Sequence, residues 1–229
     1  MSEFTSHKYS FQSLLVTILF MMIAYPLLPS SNFTRIIFQI LVTGILIFSI
    51  YSLIQNKRQF AIGLFLAVPT LALGWIGLYT SAHFITITGL MFRILFFGYI
   101  VFVFLTSIFK TKKITSDLIY GSVCIYFLMG IGWSFIYSLS EVIRPGSFEL
   151  SSIIQGTEIT AYDTHSIYPH FIYFSFTTLT TLGYGDILPK TLSSKFLTSL
   201  EAITGQFYVA VLVARLVALH LIQNQPPPR

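Results

Sequence analysis

The sequence predicts an all-α membrane protein with six membrane-spanning helices and one re-entrant segment. Of its 229 residues, 55% are hydrophobic and only 9% are charged, and the mean hydropathy is +0.79. Soluble domains carry about 25% charged residues, so this chain lacks the charge that a water-facing surface needs. The composition excludes a soluble enzyme and a disordered chain. The thirteen scattered Lys and Arg residues form no basic patch for nucleic acid.

Six stretches reach the length of about 20 apolar residues that a helix needs to cross a bilayer. They cover residues 10–29, 33–54, 60–80, 85–108, 117–140 and 195–223. The first stretch is longer than the apolar part of a secretory signal, and no small-residue cleavage site follows it, which favours a retained helix. This order divides the chain into a four-helix transmembrane domain over 1–113 and a second domain over 114–229.

The positive charges predict that both termini face the cytoplasm. With the N-terminus inside, the inner segments hold Lys8, Lys57, Arg58, Lys110, Lys112, Lys113, Arg215 and Arg229, whereas the outer segments hold only Arg35, Arg144, Lys190 and Lys195. This excess on one side is typical of cytoplasmic loops. The acids Glu141, Glu149, Glu158, Asp163 and Asp186 then lie outside, mostly in a long loop over 141–168.

No arrangement of side chains predicts catalysis. Cys124 is the only cysteine, so neither an intrachain disulfide nor a Cys-built metal site can form. No Ser/His/Asp or Cys/His set falls in one plausible site. The sequence therefore predicts that this protein is not an enzyme.

Residues 169–189 carry the most informative pattern. The apolar part before Thr177 is too short to cross a membrane, which suits a re-entrant half-helix buried by protein or water. Behind it, Gly183 and Gly185 occupy alternate positions, and glycine adopts left-handed dihedrals at little steric cost. Successive carbonyls can then face one axis, and several chains around that axis would form oxygen rings able to replace an ion's hydration shell. A plain Gly-rich turn is the alternative, but it would not need the four threonines that come just before the glycines.

Residues 181–186 read Thr-Leu-Gly-Tyr-Gly-Asp, which resembles the selectivity filter of tetrameric potassium channels, usually Thr-Val-Gly-Tyr-Gly-Asp. The tract over 201–206 and the order of elements look like small bacterial channels of the ion-channel superfamily. The resemblance covers about 117–223, and the first four helices resemble the family only in number and topology. It implies a homotetramer in the inner cell membrane, surrounded by lipid, with potassium as the permeant ion and no other cofactor. A separately encoded regulatory partner is compatible with it.

The resemblance assigns roles to the residues of the motif. It implies that potassium ions bind the backbone carbonyls of Thr181, Leu182, Gly183 and Tyr184, with the Thr181 hydroxyl completing the innermost site. Leu182 stands where Val or Ile is commoner, so the filter gives up β-branched stiffness there.

The resemblance also implies a set of supporting residues around the filter. Gly185 and Asp186 form the outer mouth, and Tyr173 stands where the family has an aromatic donor that holds Asp186. Thr177 occupies a position at which the family often has Glu.

The last helix is expected to line the pore. Gly205 lies 19 residues after Asp186, which is the family's spacing for a hinge glycine, although close helix packing explains a membrane glycine equally well. If Gln206 faces the cavity, helical spacing places three valines on the same stripe. These are Val209, Val213 and Val217, and an apolar stripe of this kind suits a hydrophobic gate.

Glu201 is the most unexpected residue of the last helix, because an acid within a membrane segment is costly and usually faces protein or water. We expect its carboxyl to hydrogen-bond the back of the pore helix at Thr177 or Thr178. The alternative is a carboxylate that reaches water near the outer interface.

The first four helices lack the charges of a voltage sensor. Such a sensor needs Arg or Lys at every third position of its fourth helix, but that stretch carries only Arg93, and no acid occurs between Phe4 and Ser116. Arg93 is therefore interpreted as an outward-snorkelling or lipid-headgroup contact, with a gating charge as the alternative.

Taken together, these patterns predict a potassium-selective channel. Two alternatives remain open from the sequence: a non-conducting membrane sensor or assembly subunit, and a potassium transporter subunit. The single loop with a full Gly-Tyr-Gly argues against the transporter, whose relatives use four degraded loops in one chain.

Overall fold

The computed structural model describes residues 8–24, 27, 32–54, 56–80, 82–111, 114–150 and 164–223. These residues form seven helices and two short strands. In chain order they are α1 (Lys8–Ala24), α2 (Asn32–Tyr51), α3 (Lys57–Ile76), α4 (His83–Lys110), α5 (Ser116–Ile143), β1 (Phe148–Glu149), α6 (Thr164–Leu179), β2 (Leu188–Pro189) and α7 (Leu192–Gln223). The prediction of a mostly helical fold is confirmed.

Five helices of the described chain are long and apolar enough to cross a membrane, namely α2, α3, α4, α5 and α7. Helix α1 has 17 residues and is shorter than a typical span. Helix α6 has 16 residues and also falls below that length. A multi-pass membrane protein is therefore supported, whereas the sixth span and the re-entrant position of α6 stay predictions.

A small antiparallel ladder, which the sequence did not predict, joins the segments before and after α6. Phe148 of β1 pairs with Pro189 of β2, and Glu149 pairs with Leu188. The Lys190 amide donates to the Ser147 carbonyl at 2.8 Å, and the Lys190 ammonium forms an ion pair with Glu149. The ladder ties the end of α5 to the start of α7, so that α6 is held between two fixed points.

Glu141 does not belong to an exposed acidic loop. Its side chain is buried, and its carboxylate accepts hydrogen bonds from the amides of Gly146 at 2.7 Å and Phe148 at 3.0 Å. The carboxylate is drawn inward because two backbone donors would otherwise lack partners at the end of α5. The greater part of the predicted outer loop, 151–163, lies outside the described residues.

The main hydrophobic core joins helices of both predicted domains. It contains Ile18 of α1, Ile45 of α2, Phe97 of α4 and Phe135 of α5, all of them buried. A second, aromatic cluster surrounds α6 and β1 and consists of Tyr137, Phe148, Ile167, Phe171, Phe174 and Ile187. Helix α6 therefore rests on both clusters, and the division of the chain after residue 113 stays a prediction.

The interpretation of Arg93 as an outward-snorkelling residue is wrong. Its side chain is only 4% exposed and donates to the Tyr168 hydroxyl at 2.9 Å and to Gln39 Oε1 at 3.2 Å. The guanidinium also lies 5.4 Å from the centre of the Phe135 ring and 5.3 Å from that of Tyr168. Since α2, α5 and α6 supply these polar and aromatic partners inside the protein, the charge does not turn toward lipid or water.

Candidate functional site

The backbone after α6 alternates between left-handed and ordinary dihedrals. Thr181 has φ 58°, Gly183 has φ 53° and Gly185 has φ 77°, so that every second residue is left-handed. The left-handed conformation of the two glycines was expected from the sequence. That of Thr181 was not, because a side chain at positive φ is uncommon and no sequence signal marks it. This alternation turns successive carbonyls toward the same side of the strand.

The amides of this segment are bound by the end of α6. Leu182 and Gly183 donate to the Thr177 carbonyl at 2.8 and 3.1 Å, and Thr181 donates to the Thr178 carbonyl at 2.9 Å. Helix α6 therefore uses its free C-terminal carbonyls to fix the N–H side of the run. Thr177 contributes through its backbone, since its buried hydroxyl donates to the Phe174 carbonyl at 2.9 Å.

The carbonyl side of the same segment is unoccupied by protein donors. In the described part of the chain, no donor reaches the carbonyl oxygens of Thr181, Leu182, Gly183 or Tyr184. A backbone oxygen without a protein donor can accept from water or coordinate a dehydrated cation. The geometry thus presents four consecutive oxygens that could hold cations.

An aromatic brace stands behind the outer part of the run. The Tyr173 hydroxyl donates to Asp186 Oδ2 at 2.6 Å, and the rings of Tyr173 and Tyr184 stack with their centres 6.3 Å apart. Asp186 Oδ1 also accepts from the Ile187 amide at 3.1 Å. The hydrogen bond to the Asp186 carboxylate is the largest of the effects that raise the pKa of Tyr173 to about 12.

An apolar cavity of about 440 Å³ is lined by residues of α1, α2 and α6 and by Leu182 of the run. Its walls include Met21, Phe38, Phe176 and the side chain of Leu182. Leu182, whose side chain is branched at Cγ and not at Cβ, has space beside it in this cavity.

The partners of Glu201 differ from those expected. The carboxyl is fully buried and is hydrogen-bonded to Ser175 of α6 and Tyr137 of α5, not to Thr177 or Thr178. The contact is still with the back of α6, but with the face turned toward α5. Ser175 and Tyr137 were missed, because nothing in their sequence neighbourhood marks them as partners of an acid 26 and 64 residues away.

Close packing accounts for Gly205 of α7. A Cβ atom at this position would overlap the Leu179 carbonyl oxygen and would lie 3.0 Å from Leu179 Cδ1. One residue further on, Gln206 Nε2 donates to the Thr181 hydroxyl at 3.2 Å. The middle of α7 therefore touches both the last residue of α6 and the first residue of the carbonyl run.

The three valines of the predicted gate lie on the exposed side of α7. Val209 is 45% exposed, and Val213 and Val217 are each 54% exposed. Their position is compatible with lining a space shared by several chains. Their role as a gate stays a prediction.

Arg215 of α7 makes contacts that the sequence did not predict, since it was identified there only as one of the inner positive charges. Its Nη2 atom donates to the carbonyls of Ile108, Phe109 and Thr111 at 3.1, 2.6 and 2.7 Å. The guanidinium also lies 5.1 Å from the centre of the Phe109 ring. The guanidinium thereby caps the C-terminal end of α4 and links it to the C-terminal half of α7.

Comparison with known proteins supports an ion-channel function. A protein-family model described as "Ion channel" matches residues 150–220, which include α6, the carbonyl run and most of α7. No curated protein and no solved structure matches the chain. Among the described residues, no group of three or more His, Cys, Asp or Glu side chains could hold a metal ion.

Proposed function

We propose that the chain is the subunit of a homotetrameric, potassium-selective channel of the inner cell membrane. The observation that carries this proposal is the run of four carbonyls at Thr181, Leu182, Gly183 and Tyr184, free of protein donors and fixed from behind by α6. Rings of such oxygens replace the water around an ion and pass it from site to site. The channel conducts potassium passively, down its electrochemical gradient.

Several chains are needed because a single strand cannot encircle an ion. The surfaces that neighbouring chains would cover are present: Leu182 is 56% exposed and Tyr184 is 67% exposed. The apolar side of α7 is also uncovered, with Phe207 67% exposed. Four-fold assembly follows from the resemblance of the motif to filters of tetrameric channels.

The supporting residues have distinct proposed roles. The Tyr173–Asp186 hydrogen bond holds the outer mouth beside Gly185. The Thr177 carbonyl binds the amides of the carbonyl run. Glu201 holds α6 through Ser175. Gly205 allows α7 to approach the base of the filter.

The inner part of α7 forms the proposed gate. Gln206 supports the Thr181 hydroxyl at the inner end of the run. The valine stripe then closes the pore by excluding water from an apolar constriction.

The decisive experiment is a potassium flux assay on the purified protein in liposomes. We expect barium-sensitive potassium flux with little sodium flux. The variant Gly183→Ala should lose this selectivity, because a side chain at φ 53° is strained, although no atom lies within 4 Å of the added Cβ.

The matched control is Gly98→Ala in α4, where an added Cβ also meets no atom within 4 Å and the backbone is helical. This variant should keep its potassium selectivity. A folded, assembled wild-type protein without barium-sensitive flux would overturn the proposal and favour a non-conducting sensor or assembly subunit. Flux that does not prefer potassium over sodium would contradict the proposed potassium selectivity.

A further inference from the structure

Glu201 occupies a closed site between three helices. Its side chain is fully buried, as are those of Tyr137 on α5 and Ser175 on α6. One carboxyl oxygen is hydrogen-bonded to Ser175, and the other accepts from the Tyr137 hydroxyl. In the described part of the chain, no Lys, Arg or His side chain pairs with Glu201. A carboxylate here would be an uncompensated charge inside a membrane protein.

The hydrogen atoms around Ser175 identify the donor. The Ser175 hydroxyl lies 2.7 Å from the Gly130 carbonyl oxygen, and a carbonyl can only accept. A serine hydroxyl has a single hydrogen, so this hydrogen is used in the bond to Gly130. The contact between Ser175 and Glu201 then requires a hydrogen from the carboxyl.

We propose that Glu201 is a neutral carboxylic acid that donates its proton to the Ser175 oxygen and thereby positions α6 behind the carbonyl run. In this arrangement each close oxygen pair of the cluster contains one hydrogen. An ionised carboxyl would instead leave the lone pairs of Ser175 facing those of either Gly130 or Glu201.

The proton acts on the filter through α6, and this consequence rests on the proposed function. Ser175 lies two residues before Thr177, whose carbonyl binds the amides of Leu182 and Gly183. A shift of α6 at Ser175 is therefore passed to the backbone of the carbonyl run. Glu201 is a positioning residue, since it touches none of the four proposed ion-binding oxygens.

Loss of the proton removes one hydrogen bond and places a negative charge behind the filter. The titratable side chains that face Glu201 come from α5 and are Tyr137 and Tyr126. Helix α6 presents the hydroxyl of Ser175. We therefore expect potassium flux to change as the pH is raised and Glu201 ionises.

Infrared spectroscopy of the membrane-reconstituted protein tests the protonation directly and needs no conduction. Wild type should show a protonated-carboxyl stretching band at neutral pH that Glu201→Gln removes. The matched control is Glu141→Gln, which should keep the band, because both carboxyl oxygens of Glu141 accept from backbone amides and this arrangement needs no carboxyl hydrogen. Absence of the band from wild type, or its survival in Glu201→Gln, would overturn the proposal.

Flux measurements test the positioning role. The variant Glu201→Gln keeps one donor for Ser175 and one acceptor for Tyr137, so it should conduct as a conservative replacement and lose the alkaline response. His170 is present in both proteins, so any contribution of this side chain to the pH dependence of flux is the same in both. The variant Ser175→Ala should reduce potassium flux about tenfold, since it removes the hydroxyl that links Glu201 to α6.

Two results of the flux measurements would contradict the positioning role of Glu201. One is a Glu201→Gln channel that is inactive although folded, and the other is an alkaline response identical to that of wild type. If wild type does not conduct at all, the proposed function fails while the infrared band still decides the protonation state.

Discussion

Arg93 of α4 donates a hydrogen bond to the hydroxyl of Tyr168 on α6, with 2.9 Å between nitrogen and oxygen. The same guanidinium binds Gln39 of α2 and lies over the Phe135 ring of α5. Four helices are thus connected through one buried cation. The contact joins the first four helices to the helix that holds the carbonyl run.

The variant Tyr168→Phe is expected to lower the free energy of unfolding by about 1–3 kcal/mol, because it leaves a buried charged donor without its acceptor while keeping the aromatic ring. Thermal unfolding in detergent measures this loss. The control is Tyr79→Phe, since Tyr79 is 86% exposed. Equal unfolding temperatures for the two variants would contradict a stabilising role of the Arg93 bond.

The variant Gly205→Ala is expected to destabilise the protein by about 1–3 kcal/mol, because the added methyl group overpacks the contact with Leu179. Gly98→Ala has open space around its Cβ and should stabilise α4 by up to about 1 kcal/mol through helix propensity. Chemical unfolding of both variants checks the opposite signs. A stabilised Gly205→Ala variant would instead favour a glycine used only for bending.

If the carbonyl run conducts potassium as proposed, the variant Tyr173→Phe is expected to shorten the time for which the run conducts. It removes the hydrogen bond to Asp186 and keeps the ring that stacks on Tyr184. The decay of potassium flux with time in liposomes is the measurement. Equal lifetimes for the variant and the wild type would show that the hydrogen bond between Tyr173 and Asp186 does not stabilise the filter.

The difference in conducting lifetime between Tyr173→Phe and wild type should be constant below pH 10 and should disappear only at higher pH. The pKa of Tyr173 is raised from 10.0 to about 12, chiefly by its hydrogen bond to Asp186. The stabilising bond is therefore fully present below pH 10 and is lost only as the pH rises through about 12. Measurements at pH 7 and pH 9 should give the same difference, and a difference that disappears within this range would contradict the assignment.

The variant Arg215→Gln is expected to lower the unfolding temperature, since three carbonyls at the end of α4 lose a charged donor. The loss should be about 1–3 kcal/mol, as for other hydrogen bonds to charged groups. Lys195→Gln on the same helix is the control, because Lys195 is exposed. If both variants unfold at the same temperature, Arg215 does not stabilise the contact between α4 and α7.

The features that could be predicted from the sequence are those that depend on local pattern. The long apolar helices follow from hydropathy, and the left-handed positions of Gly183 and Gly185 follow from the freedom of glycine. Thr181 adopts the same backbone region although its residue type disfavours it. Hydrogen bonds from its amide to Thr178 and from Gln206 to its hydroxyl accompany this conformation.

The features that could not be predicted depend on which helices meet. Arg93 was expected to turn outward, because no acid precedes Ser116 in the membrane part of the chain. Its actual partners are a neutral amide, a phenol and two aromatic rings, and such partners carry no charge signal in a sequence. Glu201 was expected to bind α6, but its partners Ser175 and Tyr137 could be identified only once the positions of α5 and α6 were known.

The connection between α4 and α5 is short. Only residues 111–115 separate the two helices, and a segment of this length reaches at most about 20 Å when extended. Arg93 and Tyr168 are bonded within one and the same chain. If chains assemble as proposed, an Arg93 defect acts on the carbonyl run of its own chain, so its severity in a mixed assembly would grow stepwise with the number of variant chains.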